Sequence, residues 1–411
     1  MTERLYYCDS FLYDFTADVA SVLPPSAGES RAAVVLSRTA FYPTSGGQVF
    51  DTGRLVTAAG ELHVVETCET AAGEILHYVE GATGGLESGA AVQGIVDAAR
   101  RRDHMQQHSG QHLLSAAFVK LFNLPTVSFH MGEESSSIDL EAKAVSPEQV
   151  EAVEKLANEI IAEDREVRLR FVNQEEARAL GLRKLPPADK DELRLIEIAD
   201  FDLSACGGTH VRATGQIGSI LLRKVEKVRQ GMRVEFVCGE RARATARRDY
   251  LALTEAAGLF SSHLWEVPQQ VRKSQEDARV VRKAGEQVLE ELAALQAEKI
   301  LAATPPTGAM KLVVRVYSDR DLTFVKLLAQ KLTRQEDPVI ALLGTTLGTA
   351  TLVFARSGGL AHDMGQLMKE VLGSLGGRGG GSKDLAQGGP TDTAGITATL
   401  AEVAERLETS S

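Results

Sequence analysis

The sequence predicts an α+β protein in four parts: an N-terminal β-barrel over residues 1–95, a central α+β domain over 96–250, a helical arm or coiled coil over 251–302, and a small C-terminal α/β domain over 303–411. Three observations carry that expectation. Helical periodicity is missing from the first 95 residues, where short apolar segments alternate with glycine-containing turns. Helix and strand patterns then mix up to about residue 250, ahead of one long charged stretch with helical spacing. Past residue 303, apolar runs of strand length flank helical segments. A chain of 411 residues has room for two to four separate cores.

The elements follow in order. "AAVVLSRTAFY", "LHVVETC" and "AAVQGIV" read as strands of a small barrel or sandwich. A helix then runs to about Phe122 and halts before Asn123 and Pro125. "PTVSFHMG" and "SSSIDLEA" read as strands joined by a polar turn. Ser146 as N-cap, Pro147 at the first helical position and Gln149 as the reciprocal partner start the next helix. Its apolar face is Val150, Val153, Leu156, Ala157 and Ile160. In "REVRLRFV", Val167, Leu169 and Phe171 share one side of a strand, and "GSILLRKVEKV" and "MRVEFVCG" form a hairpin around "RQG". Over 267–300, Val271, Ala278, Gly285 and Leu292 fall on one heptad position and Val281, Val288 and Leu295 on another. That seam is thin. "ATPPTGA" at 303–309 is a linker; "KLVVRVYS", a helix near 321–333, "PVIALLG", "TATLVFARS", a glycine-rich loop and a final helix at 393–407 complete the chain.

Composition is that of an ordinary globular protein, 44% hydrophobic and 25% charged. No apolar run reaches the ~18–20 residues that span a bilayer. The N-terminus lacks a signal-peptide pattern, so the expected location is cytoplasmic. Four scattered cysteines do not make a disulfide framework. The net charge of −11 argues against coating nucleic acid through bulk charge. Local clusters differ: residues 223–248 hold nine Lys/Arg against three Glu, and Arg100, Arg101 and Arg102 sit immediately before the helix that carries the histidines. Taken alone these are solvated faces. Flanking one candidate site, they favour an anionic ligand.

"HMQQHSGQHLLSAAF" (104–118) places His104, His108 and His112 at intervals of four, on one helical face. Histidines on a helix are most often solvated or satisfied in a core. A second pair changes the balance: "SACGGTHV" offers Cys206 and His210, with two glycines that let the backbone aim both at one point. One sulfur and three nitrogens suit tetrahedral zinc. The metalloprotease pattern needs Glu within H-E-x-x-H, but positions 109–111 are Ser, Gly and Gln. Finger modules space their pairs far more closely, and the deaminase pattern is absent. His104 is set aside as a support of the site or a phosphate contact, and His130 is a weaker outside candidate.

These motifs resemble a known family. "HMQQHSGQHLL" with "CGGTHV" is similar to the paired zinc motifs in the editing domains of alanyl- and threonyl-tRNA synthetases. "TAFYPTSGGQVFDTG" (39–53) resembles the Gly-Gly-Gln segment ahead of that domain in alanyl-tRNA synthetase, and "GGRGGGSKDLAQGG" resembles the end of its C-terminal, DHHA1-like domain. The order and spacing are those of free-standing, long-form alanyl-tRNA editing proteins. The resemblance implies a zinc-binding editing domain that hydrolyses the ester of tRNA(Ala) mischarged with serine, or with glycine. It carries the zinc ligands onto His108, His112, Cys206 and His210. The family's specificity residue lies just after the histidine helix, where loop length prevents a residue-level transfer. Thr126 and Ser128 are the polar residues expected to meet the serine hydroxyl, with Phe129 or His130 sharing that region. Gln48 is expected either at the substrate, holding the tRNA end, or docking the first domain on the second. Arg101, Arg102, Arg378 and Lys383 are the expected tRNA contacts, and the arm with the last domain either pairs two copies or meets the tRNA elbow. The glycine-rich segment lacks the order of a P-loop. A tRNA-binding protein with a purely structural zinc, and an editor of threonyl specificity, are the rival readings.

Overall fold

A computed structural model describes residues 2–25, 29–58, 60–81, 83, 84, 86–180, 192–229 and 231–409. Gln230, in the turn expected at "RQG", lies outside them. The chain divides into two compact units, Met1–Glu255 and Ala256–Ser411. No helix among the described residues is long and apolar enough to cross a membrane.

Besides a short parallel pair, Glu3–Arg4 with Arg38–Thr39, the first unit begins with six barrel strands: β1 (Asp14–Leu23), β2 (Ala32–Leu36), β3 (Gly53–Thr57), β4 (Gly60–Glu69), β5 (Ile75–Glu80) and β6 (Ala91–Val96). They close into a barrel in the order β1-β2-β5-β4-β3-β6. Alternation along β1 turns Phe15, Ala17 and Val19 inward, onto Val34, Leu55, Val64 and Val92. Closure leaves these strands no open edge.

Helix α1 (Ala98–Phe122) follows directly. The Asp97 carboxylate caps it by accepting from the N–H groups of Ala99 and Arg100, so the three arginines belong to its first turns instead of preceding it. Asn123 ends it in the left-handed conformation, φ 54°. Strands β7 (Thr126–Met131) and β8 (Ser136–Leu140) and helix α2 (Pro147–Ala162) come next, α2 with the reciprocal Ser146–Gln149 capping box. β9 (Val167–Asn173), α3 (Gln174–Ala179), β10 (Glu192–Ile198) and β11 (Asp202–Ala205) lead to the hairpin β12 (Ile220–Val228)–β13 (Gly231–Cys238) and helix α4 (Gly239–Leu259). The sheets are β12-β13-β8-β7 and β9-β10-β11. Leu113, Leu114 and Phe118 of α1 pack with Ile138, Val153, Val234 and Phe236 to form the core beside the site.

In the second unit α5 (Val267–Ala303) buries Val267 at its start and a cluster near its end. Ala293, Ala297, Ile300 and Leu301 pack on Phe324, Val325 and Leu328 of α6 (Leu322–Thr333). The predicted heptad seam is not what this contact uses: Val281, Val288 and Leu295 stay 71%, 63% and 64% exposed. A five-stranded sheet runs β14 (Lys311–Tyr317), β15 (Val339–Thr345), β16 (Thr351–Arg356), β18 (Leu385–Gly389), β17 (Arg378–Gly381), with α7 (Met364–Leu375) and α8 (Ile396–Thr409) completing the unit. The glycine-rich segment is therefore a hairpin, β17–β18, where a loop was expected. Glycine is required by the ladder itself: a Cβ at Gly379 would fall 2.5 Å from Gly388 Cα and 2.6 Å from Leu372 of α7.

Candidate metal centre

Helix α1 is buried on nearly every side from Met105 to Phe118, although His, Gln and Ser are spread along it. A buried polar side chain without a partner is costly, so each must be met by a group from another segment. Gln107 shows how: its amide accepts from Cys238 N–H at 2.9 Å and donates to Cys238 O at 3.0 Å.

His108 and His112 meet Cys206 and His210, whose ligand atoms all lie within 4.8 Å of one another. Cys206 Sγ is 3.3 Å from Nε2 of both His108 and His210, and accepts from Gly208 N–H at 3.4 Å. Gly208 is where the loop needs glycine, since a Cβ there would sit 2.1 Å from the His108 ring. The far nitrogen of each ring is held from outside. His108 Nδ1 donates to Gln48 Oε1 at 2.7 Å, His210 Nδ1 meets Ser109 Oγ at 3.1 Å, and His112 Nδ1 stands 3.5 Å from Asp202 Oδ2. Such partners fix ring orientation and leave each Nε2 free to ligate.

The four side chains are strongly coupled electrostatically. Burial raises the Cys206 thiol, but the imidazoles of His108, His210 and His112 outweigh it and hold it well below the ordinary value, so thiolate is favoured. Burial works against charge on His112, yet the Cys206 sulfur and the Asp202 carboxylate hold it up to about 9. His210 is pushed down to about 3, chiefly by burial. A divalent metal requires the thiolate and deprotonated imidazoles, so its binding would displace the proton that Cys206 and Asp202 otherwise hold on His112. The four residues fit zinc.

Gln48 is fully buried, and both ends of its amide are engaged: Oε1 also accepts from Thr209 N–H at 3.1 Å, and Nε2 donates to Thr209 Oγ1 at 2.8 Å. It grips a candidate ligand and the ligand loop. Thr126 Oγ1 lies 2.6 Å from Ser115 Oγ, which accepts from Gln111 of α1 at 2.8 Å. Ser128 donates to Asp139 at 2.8 Å. Phe129 stacks on the His108 ring, centroids 5.4 Å apart, and His130 is exposed.

Arg101 is a correction. It is fully buried, its guanidinium bound to Asp51 and to the carbonyls of Ser10 and Ala40, so it has nothing left for a phosphate. Arg102, Arg378 and Lys383 are exposed, the last two in the second unit. His104 stands apart from the four donors, 3.9 Å from Asp51, and is pushed down to about 3 by burial and the nearby arginines. Sequence reasoning missed Ser109, Asp202 and Thr209. Ser109 and Thr209 lie inside the quoted motifs and Asp202 four residues before Cys206, so adjacency to a ligand was the available signal.

Comparison with known proteins gives two family matches. Residues 8–100 match the family described as tRNA synthetases class II (A), and residues 193–234 match the threonyl and alanyl tRNA synthetase second additional domain. The alanyl-tRNA editing protein AlaX-L of Pyrococcus horikoshii is 31% identical, covering 94% of this chain and 94% of its own length. Alanine–tRNA ligases of Archaeoglobus fulgidus and Pyrococcus furiosus are 33% and 30% identical over 94% of this chain, which spans only 42% of either ligase.

Proposed function

The chain belongs to the alanyl-tRNA editing protein family, and from that premise we propose that it is a cytoplasmic trans-editing hydrolase for mischarged tRNA(Ala). Its main substrate is Ser-tRNA(Ala), with Gly-tRNA(Ala) a second. The observation that carries the reading is the convergence of His108, His112, Cys206 and His210 in a chain aligned end to end with an editing protein. In the reaction water attacks the carbonyl carbon of the aminoacyl ester, the bond to the ribose oxygen breaks, and amino acid and tRNA separate.

The need for such an enzyme is chemical. A pocket shaped for alanine excludes an amino acid that only adds a hydroxyl by ~100-fold, whereas a site that bonds the hydroxyl discriminates by ~10⁴-fold or more. Thr126 takes that role here, its hydroxyl already joined through Ser115 to Gln111, the residue before His112. Ser128, engaged by Asp139, is the weaker of the two. Bound by the four donors, zinc supplies Lewis acidity and a grip on an oxygen or amino group. Gln48, Ser109 and Asp202 position its ligands. Arg102, Arg378 and Lys383 meet the tRNA backbone, and the exposed Val281, Val288 and Leu295 of α5 pair two copies.

Four protein donors can also close a tetrahedron and leave no room for substrate, which favours the second reading, a tRNA-binding protein with a structural zinc. Purified protein incubated with Ser-, Gly-, Thr- and Ala-charged tRNA(Ala) separates the two. Rapid release of serine, slower release of glycine and little of the others is expected. A zinc-loaded protein that binds these tRNAs and releases nothing is the structural-zinc protein instead.

A further inference from the structure

A groove of about 270 Å³ opens beside the cluster, lined by Tyr7, Phe171, Leu193, Arg194, Cys206 and Gly207, with Glu192. Phe171 of β9 and Arg194 of β10 are directly opposite in the antiparallel register, so both rise from one sheet face. Phe171 leaves 42% of its surface to solvent, an exposed ring at the groove. Arg194 is largely buried and tightly held. Its Nε donates to Tyr7 O at 2.9 Å, its Nη1 to Cys206 O at 2.6 Å, and its guanidinium lies over the Tyr7 ring, 5.6 Å from the centroid.

Among the described residues Arg194 has no carboxylate partner, and Nη2 makes no hydrogen bond. Glu192 is exposed and forms no ion pair with it. The contrast with Arg101 is informative, since that buried arginine has its carboxylate in Asp51. A guanidinium largely withdrawn from water, with no carboxylate partner, keeps an unused donor edge for an anion. A planar guanidinium suits a phosphate, and an exposed ring suits a nucleobase.

We infer that this groove seats the terminal nucleotide of the RNA substrate, its base on Phe171 and its phosphate on Arg194, next to the metal-ligand loop. The inference rests on the proposed reading of a charged tRNA as substrate. It names the side from which the ester reaches Cys206 and His108. Phe171 is the binding residue most open to test, because an exposed ring can be removed without touching the core.

The test is a binding cycle on the full chain with uncharged tRNA(Ala), its terminal adenine either intact or replaced by an abasic ribose. Removing the base should weaken binding to the wild type by at least ~5-fold, the low end for stacking one base on one ring. Phe171→Ala should bind the intact RNA as weakly as that, and lose nothing more when the base is removed. For Arg194→Gln, the slope of log affinity against log salt should flatten by roughly 0.7, the share of one single-stranded phosphate. Equal losses on base removal in wild type and Phe171→Ala overturn the inference. Serine release from Ser-tRNA(Ala) is followed in parallel. Coupled binding losses without serine release sink the hydrolase reading and leave the nucleotide seat standing. No binding of either RNA by the wild type overturns both.

Discussion

Helix α1 carries two buried polar clusters about a turn apart, and they satisfy the same physical demand in opposite ways. At its start, Arg101 and Asp51 neutralise each other, backbone carbonyls take the remaining guanidinium donors, and His104 stays neutral beside them. One turn on, His108 and His112 meet a thiolate and a third imidazole, with outer partners on each far nitrogen. The first cluster neutralises its charges within itself, although Asp51 Oδ1 and His104 Nδ1 are left without hydrogen bonds among the described residues. The second is satisfied on its outer side only, and its inner lone pairs face one another. Three histidines at identical spacing thus divide by what faces them: His104 meets an acid already taken by an arginine, so it has neither a free charge nor a shared ion to bind.

The largest way to break this contrast is Cys206→Ala. It should take zinc from about one per chain to near zero by elemental analysis, and serine release from Ser-tRNA(Ala) below detection. Turnover unchanged in a zinc-free variant would sink the enzymatic reading. Arg101→Ala attacks the other cluster and should leave Asp51 buried without its cation, costing ~3–5 kcal/mol in urea unfolding while the folded fraction keeps its zinc. If Arg101→Ala empties the metal site as thoroughly as Cys206→Ala, the two clusters are one.

Gln48→Ala sharpens the picture at smaller scale. Loss of the outer hold on His108 should weaken zinc ~10–100-fold in a chelator competition, without emptying the site at saturating metal. An unchanged affinity would reduce Gln48 to a strut between barrel and loop. The smallest effect concerns pH. His104 and His77, the latter bonded to Thr39 and the Val34 carbonyl at 2.8 Å, are pushed down by burial to about 3 and about 4. The unfolded chain takes up protons near pH 6.5 that these folded sites refuse. Their contribution to stability is therefore complete above about pH 6.5 and falls as the pH drops toward 4. Urea midpoints of the zinc-free Cys206→Ala protein should decline over that window, and less so with His77→Gln.

What could be read in advance was what local chemistry writes into neighbouring residues. Ser146, Pro147 and Gln149 announce a helix start within four positions, and the interval from His108 to His112 is a helical turn in plain view. Cys206 and His210 were legible because two glycines between them leave no other evident purpose. Pairings across the fold were not legible. Nothing near Arg101 in sequence reveals that Asp51 waits fifty positions earlier, so a buried arginine looked like a surface one. The alternation of β1 is local, whereas closure of the barrel depends on which strands pair. The glycines of β17 and β18 misled for the same reason: lack of a side chain marks a loop or a tight ladder equally, and only the partner strand decides.

The hydrogen bonds from Gln48 to His108 and Thr209 carry a further consequence. All four sulfur and nitrogen donors come after residue 100, yet the brace that aligns one of them is borrowed from the turn between the second and third barrel strands. Excised without its amino-terminal neighbour, the editing fold would keep every atom that touches the ion and lose the clamp that aims it. Transplanting this four-donor site onto another protein means moving the first 250 residues together.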